Sequence, residues 1–214
     1  MTRRRRTAKR LSLSKRIWLR VRSRTEIDGL SIIAVFGRGL DKVVAAVKLI
    51  RDTDGLQYRR VLRDLDRIII DLLPTGASAQ YEASLDACEL DERTILSESV
   101  SVGRIAAIIV HEATHARLEH LGFSYIKERR QRIEDVCVRR ERAFASRLPD
   151  RETLESIEEA KPDNLTDAAF AERRERATHD IPTYLGVPHW VQLILRAIGA
   201  CITAVRWVLY KLRP

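Results

Sequence analysis

Two histidines and a glutamate stand at positions from which they can act together on one metal ion. They are His111, Glu112 and His115, in the string His-Glu-Ala-Thr-His. On a helix the two histidines lie one turn apart on the same face, so both imidazoles can bind a single zinc ion. Glu112 is then close enough to take a proton from a water molecule held by that ion. The pattern therefore predicts a hydrolytic zinc site.

A catalytic zinc site of this type has a third protein ligand and a fourth position that is open to water. Three downstream residues are candidates for the ligand. Glu134 follows His115 after eighteen intervening residues, on a segment that is expected to be a second helix. Glu141 lies two helical turns further on the same face, and His120 is nearest in sequence. The alternative interpretation of Glu134 is a solvated charge among neighbouring arginines.

The string HExxH, followed by eighteen residues and a glutamate, resembles the gluzincin metallopeptidases, above all their aminopeptidase branch, over residues 78 to 150. The resemblance implies that His111, His115 and Glu134 bind zinc and that Glu112 is the general base. It also implies an α+β fold, mostly helical, in which a zincin-like core has a small sheet beside the HExxH helix.

The chain differs from those aminopeptidases in two respects. It has no match to their Gly-rich substrate-anchoring motif upstream of the zinc helix, and it is much shorter. The string His-Glu-Ala-Thr-His-Ala, with a later Ile-Glu-x-x-Cys, is also similar to small, little-characterised bacterial metallopeptidases, which fit the length better. Metzincins are not indicated, because Leu118 and Leu121 stand where that family has Gly and His.

Peptide hydrolysis also needs a hydrogen-bond donor, besides zinc, for the negative oxygen that develops during the reaction. His179, Tyr184 and His189 lie in or beside a Pro-containing connector at residues 181–188, from which a loop can reach the metal. No spacing singles out one of the three. An ordinary surface or core role is the alternative for each.

The elements that must position these residues can be predicted from local patterns. The zinc helix follows Ser99 and Ser101, either of which can cap it, and Gly122 can end it. Apolar residues at helical spacing predict further helices. These lie at residues 31–50, 58–72, 128–147 and 166–179. Residues 79–88 lack helical spacing and lie between turn-forming segments, which predicts one or two strands. In zincins a strand at this place receives the substrate backbone by strand addition.

Charge is distributed unevenly along the chain, whose net charge is +9. Residues 1–24 hold eleven Arg or Lys, residues 188–214 hold four, and neither segment contains an acidic residue. The remaining 24 basic and 30 acidic residues make the middle of the chain acidic. The pattern predicts a basic tail at 1–24, a catalytic domain at 25–187 and an apolar amphipathic helix at 188–214.

The two basic ends predict peripheral attachment to an anionic membrane surface, with a solvated tail as the alternative for residues 1–24. Residues 190–210 are long enough to span a bilayer, but Arg196 and Arg206 lie on one polar stripe, which favours packing or an interfacial position. Nucleic acid is not favoured, because no base-reading module accompanies the arginines. Since no apolar stretch of a secretory signal follows the tail, the expected location is cytoplasmic, at the inner face of the membrane.

Cys88, Cys137 and Cys201 are scattered and form no CxxC pair, so neither a disulfide framework nor a cysteine zinc site is indicated. Cys137, three residues after Glu134, is interpreted as a small core residue. The expected function is zinc-dependent hydrolysis of peptide bonds in a peptide or protein substrate. The alternative is a non-catalytic, membrane-associated or scaffold protein that keeps the zinc helix as structure.

Overall fold

The computed structural model describes residues 23–159 and 165–194. These residues belong to two compact units, one made of residues up to 73 together with 77–167, the other of residues 74–76 and those from 168 onward. The predicted tail at 1–24 lies almost wholly outside the described residues, and so does most of the predicted C-terminal helix at 188–214.

One mixed sheet lies in the first unit, with its strands in the order β1-β2-β3-β5-β4. The strands are β1 (Ser23–Ile27), β2 (Leu30–Ala34), β3 (Arg67–Asp71), β4 (Ala79–Glu82) and β5 (Ala87–Asp91). The central strands β2, β3 and β5 are parallel, and β1 and β4 pair antiparallel at the two edges. Ile68, Ile69 and Ile70 of β3 are all buried, as is typical of a strand covered on both faces.

The described residues also form helices, and two of these carry the candidate site. In the described residues they are α1 (Leu40–Thr53), α2 (Gly55–Asp64), α3 (Glu92–Leu96), α4 (Val102–His120), α5 (Arg130–Ala145), α6 (Glu152–Glu159) and α7 (Asp167–Tyr184). The pair α1 and α2 connects β2 to the parallel strand β3. Helix α4 is central, because it packs against α1, α2 and α5 and against the edge strand β4. Its first half is therefore buried, with Ile105 and Ile109 fully covered.

Several predicted elements are confirmed. The protein is α+β and mostly helical, with one five-stranded sheet. The zinc helix, the helix at 128–147 and the helix at 166–179 correspond to α4, α5 and α7. The predicted strand region at 79–88 forms two strands, β4 and β5, and β4 lies at an edge of the sheet.

Two predicted helices are wrong in part. Residues 31–34 belong to strand β2, and the helix begins only at Leu40, after Gly37 and Gly39 adopt positive φ values of 75° and 77°. Helix α2 ends at Asp64, and residues 67–71 form β3. In both places short runs of isoleucine fill inner strands, and such runs satisfy helical spacing and strand burial equally well.

The first two strands of the sheet form a hairpin that apolar spacing did not predict. Strands β1 and β2 are joined at Asp28 and Gly29, whose φ values are 49° and 86°. Positive φ at both central residues is the requirement of a type I′ turn, for which Asp-Gly is a preferred sequence. The described part of the chain contains no helix with the length and hydropathy needed to cross a membrane.

Candidate metal centre

Helix α4 holds the candidate metal ligands on a support that is fixed at both ends. At its start, the Ser101 side chain accepts a hydrogen bond from the backbone N–H of Arg104, at 3.0 Å. At its end, Gly122 adopts a φ of 86°, and the N–H of Phe123 donates to the carbonyl of Leu118 at 2.9 Å. These contacts satisfy backbone groups that a helix end otherwise leaves unpaired. The predicted cap at Ser101 and the predicted end at Gly122 are confirmed.

The two histidines of α4 face each other through the same ring atom. The Nε2 atoms of His111 and His115 are 3.2 Å apart, and both side chains are largely buried. Two neutral imidazoles can bring their Nε2 atoms this close only in two cases. Either one Nε2 carries a proton and donates it to the other, or both Nε2 lone pairs bind one cation. The pair is therefore arranged to share either one proton or one cation.

Glu134 of helix α5 completes a triangle with the two imidazoles. Its Oε2 lies 3.2 Å from Nε2 of His111, and its Oε1 lies 3.5 Å from Nε2 of His115. Three ligands held at 2.0–2.1 Å from one tetrahedral zinc ion lie roughly 3.3–3.4 Å from each other. The two nitrogens and the two oxygens of the Glu134 carboxylate, each oxygen facing one imidazole, are thus close enough to share one zinc ion, and the residues fit the ion.

The charge state of the triangle agrees with a cation site. Burial acts to raise the pKa of the Glu134 carboxyl, but hydrogen bonds from His111 and His115 outweigh it and hold that pKa well below its usual range. Burial likewise acts to lower the pKa of His111, but hydrogen bonds to Glu134 and Glu141 raise it to about 10. Hydrogen bonds to the two carboxylates thus favour a positive charge on the His111 ring.

Glu141 occupies the opposite side of the His111 ring. Nδ1 of His111 donates to Oε2 of Glu141 at 2.9 Å, and the other carboxylate oxygen of Glu141 pairs with Arg104. A donor role for Nδ1 leaves the lone pair of Nε2 for the metal, which is the usual arrangement of a metal-binding histidine. Glu141 therefore orients a ligand from outside the triangle, whereas the sequence had made it a candidate for the third ligand.

His120, the remaining ligand candidate, lies in a different cluster. Its Nε2 is 2.8 Å from the carboxylate of Asp86 and 3.3 Å from the hydroxyl of Tyr81. The Asp86 carboxylate also accepts a hydrogen bond from that hydroxyl, at 2.6 Å. This cluster joins the end of α4 to the β4–β5 hairpin, and Nδ1 of His120 also lies 3.6 Å from the carboxylate of Asp64 in α2.

Glu112 lies on α4 between the two histidines and is buried. Burial raises the pKa of its carboxyl, while the nearby positive charges of His115 and His111 oppose the shift. A carboxylate with a raised pKa is a stronger base than an exposed one and suits proton transfer near neutral pH.

Tyr125 is a site residue that the sequence analysis missed. It lies in the connection between α4 and α5, and its hydroxyl donates to Oε1 of Glu134 at 2.6 Å. Its ring meets the ring of His115 edge-on, with the centroids 5.5 Å apart. One signal was available, since a segment that joins the HExxH helix to the Glu134 helix has to pass close to the candidate metal ligands.

The predicted oxyanion donors His179 and Tyr184 lie in α7 and His189 follows it, all in the second unit.

Cys137 also lies at the candidate metal centre. It is fully buried, one turn after Glu134 on α5, and burial raises the pKa of its thiol. The ligand atoms of His111, His115 and Cys137 lie within 4.8 Å of one another, a grouping found among the described residues. Two residues of α5 can thus add to the histidine pair. The Glu134 oxygens lie 3.2 and 3.5 Å from the two Nε2 atoms, whereas the grouping within 4.8 Å consists of the two histidines and Cys137.

Comparison of the chain with protein-family models, with curated proteins and with solved structures gives no match. Function is therefore inferred from the residues and from their geometry.

Proposed function

We propose that this protein is a zinc-dependent metallopeptidase. In this proposal His111, His115 and Glu134 bind zinc, and Glu112 is the general base for hydrolysis of a peptide bond. The observation that carries it is the triangle of residues, in which the two Nε2 atoms are 3.2 Å apart and the two Glu134 oxygens lie 3.2 and 3.5 Å from them, beside a buried carboxylate. Two imidazoles and one carboxylate are a donor set used by catalytic zinc sites.

The side chains around the triangle have separate roles in this proposal. Zinc, when bound, supplies Lewis acidity and lowers the pKa of a water molecule towards about 7. Glu112 accepts the proton of the attacking water and delivers it to the leaving nitrogen. Glu141 holds the His111 ring in the tautomer that binds through Nε2. Tyr125 holds the Glu134 carboxylate in place through its hydroxyl.

The edge strand β4 is the place where a peptide substrate can bind. This strand ends the sheet on the side next to α4, and it packs against that helix. An extended peptide that pairs with β4 adds a strand to the sheet and runs alongside the zinc helix. Backbone pairing of this kind binds peptides with little dependence on their side chains, so we propose β4 as the site of substrate binding.

The test is the zinc content and the peptide hydrolysis of the full chain and of Glu112→Gln. The substitution keeps the size of the side chain and both imidazoles, so one zinc ion per chain should remain. Removal of the base should lower the hydrolysis rate by about 10²-fold or more. Glu119→Gln, on the same helix two turns later, is the matched control and should keep both zinc and activity.

Three outcomes contradict the proposal in different ways. Unchanged zinc content in a His111→Ala/His115→Ala protein excludes the metal site, and unchanged zinc content in Glu134→Ala moves the third ligand elsewhere. A Glu112→Gln protein as active as the wild type excludes the base. A zinc-loaded wild-type protein that cleaves no member of a broad peptide library favours the non-catalytic, membrane-associated or scaffold alternative.

A further inference from the structure

A buried cysteine lies beside the three proposed ligands without a role in the proposed reaction. Cys137 follows Glu134 by three residues on α5, and residues three apart on a helix share a face. Its sulfur lies within 4.8 Å of the ligand atoms of both His111 and His115. The thiol is therefore turned towards the same point as the triangle.

The distance from the Cys137 sulfur to the histidine nitrogens is close to the distance expected when a thiolate and an imidazole bind the same metal ion. In a tetrahedral zinc site, a sulfur at about 2.3 Å and a nitrogen at about 2.0 Å from the ion lie roughly 3.5 Å apart. A bound thiolate thus needs the sulfur to approach the nitrogens by at most about 1.3 Å from the 4.8 Å limit. Glu134 supplies the third corner at the same time, because its carboxylate faces the imidazoles from the same helix face.

We propose that Cys137 is a fourth ligand of this metal centre, which competes with water for the position that hydrolysis needs. The inference rests on the proposed metal site and adds a state in which two histidines, one carboxylate and one thiolate surround the ion. The thiol releases its proton to solvent when it binds the metal, and it takes a proton back when water replaces it. The chain can therefore close its own active site.

This closed state has chemical consequences. A four-ligand protein shell leaves no position for water, which is the arrangement of structural zinc sites. A thiolate also makes the donor set softer, which favours zinc over harder ions such as magnesium. Cys137 is thus the residue that decides between a hydrolytic centre and a structural one.

The experiment replaces zinc by Co²⁺, which takes the same sites and reports sulfur ligands by light absorption. The full chain loaded with one equivalent of Co²⁺ should show a near-ultraviolet thiolate-to-cobalt charge-transfer band. The band should be lost in Cys137→Ala, which should still bind one metal ion per chain through the remaining three ligands. Cys88→Ala is the matched control, because Cys88 is a buried cysteine of strand β5, and it should keep the band.

A second variant identifies the sulfur without a change at position 137. In the Cys88→Ala/Cys201→Ala protein, Cys137 is the remaining cysteine, and the charge-transfer band should persist. Cobalt binding without the band, or a band that survives in Cys137→Ala, overturns the inference and leaves the proposed peptidase intact. A wild-type chain that binds neither Co²⁺ nor Zn²⁺ overturns the inference and the proposed function together.

Discussion

The orientation of His111 depends on a carboxylate that does not belong to the donor triangle. Glu141 accepts from Nδ1 of His111 and is itself paired with Arg104 of the same helix as the histidine. All three groups are at least partly buried, so the chain Arg104–Glu141–His111 is protected from competition by water. Such partners of a ligand contribute to metal affinity although they never touch the metal.

Glu141→Gln should lower zinc affinity by about 10- to 100-fold, the range seen when such supporting groups are removed. The amide keeps the shape of the side chain but loses the charge that holds the Nδ1 proton and the Arg104 guanidinium. Competition with a zinc chelator measures the change. Glu155→Gln, at an exposed position of α6, is the control. Equal affinity of the two variants contradicts the role assigned to Glu141.

Spacing along the chain predicts some of these residues and not others. His111, Glu112, His115 and Glu134 were predicted because helical periodicity relates the first three, and because a known motif spaces the fourth. The place of Tyr125 between the two helices can be read from the sequence, but its contact with Glu134 depends on the packing of α4 against α5, which no local pattern reveals. The same applies to the partners of Glu141, since the pairing with Arg104 joins residues on two helices.

At the scale of helices and strands, close packing around the start of α4 limits the size of one side chain. A methyl group built on Gly103 comes within 2.6 Å of Oγ1 of Thr153 in α6 and within 3.2 Å of Leu148. Thr153 is almost fully buried and, as a β-branched residue, has few alternative rotamers. Glycine is therefore required here to let α6 approach α4.

Gly103→Ala should destabilise the protein by up to about 2 kcal/mol. Overpacking costs about 1–3 kcal/mol, and the gain of about 1 kcal/mol in helix propensity offsets only part of it. Urea unfolding measures the free energy. In the Thr153→Ala background, which removes the clashing oxygen, the same substitution should be much less harmful. An alanine at 103 that leaves the wild-type free energy of unfolding unchanged contradicts this packing.

The elements were predicted well where periodicity is long and poorly where it is short. The nineteen residues of α4 and the sixteen of α5 follow one helical pattern from cap to end. Strands β2 and β3 have five residues each. Their isoleucines would be buried in a helix as well as in an inner strand, so the pattern of apolar residues does not distinguish the two. The Asp28-Gly29 turn was a readable strand signal, because it favours a hairpin over a helix at this place.

At the scale of the whole molecule, one titrating contact links a helix to the first hairpin. The Tyr58 hydroxyl of α2 donates to the Asp28 carboxylate in the β1–β2 turn, at 2.6 Å. Burial, together with this hydrogen bond, raises the pKa of Tyr58 to about 12. In the unfolded chain the same group titrates at about 10. The folded state therefore holds the phenol proton more tightly than the unfolded state does.

The stabilisation from this contact should be fully present below about pH 10 and should be lost as the pH rises to about 12. Tyr58→Phe removes the titrating group, so the difference in free energy of unfolding between wild type and variant should shrink over that window. Urea unfolding of both proteins from pH 8 to pH 11.5 measures it, and all other titrating groups cancel in the difference. Parallel profiles for the two proteins contradict the link.

Attachment to an anionic membrane surface stays a prediction for the complete chain. In the second unit Trp190, Leu193 and Ile194 are 66, 50 and 50% exposed, at the spacing of one helix face. Flotation with anionic vesicles should show binding that weakens with salt and on removal of residues 1–24, because Arg and Lys supply part of the attraction. Equal binding to neutral vesicles, or no binding to either kind, contradicts it.

The order of elements along the chain also governs how the protein is made. In the part of the chain that the structure describes, every strand lies within residues 23–91, and the groups around the candidate metal follow, between Arg104 and Glu141. During synthesis the strands leave the ribosome before α4. The isoleucine-rich face of the sheet therefore remains exposed until the helix that packs on it has been made. The donors then come from two helices joined by the short connection 121–129, whose closure costs little entropy. In the proposed function, metal binding is therefore a late and local event of folding, and a nascent chain that stops before α4 leaves the isoleucine-rich face of its sheet uncovered.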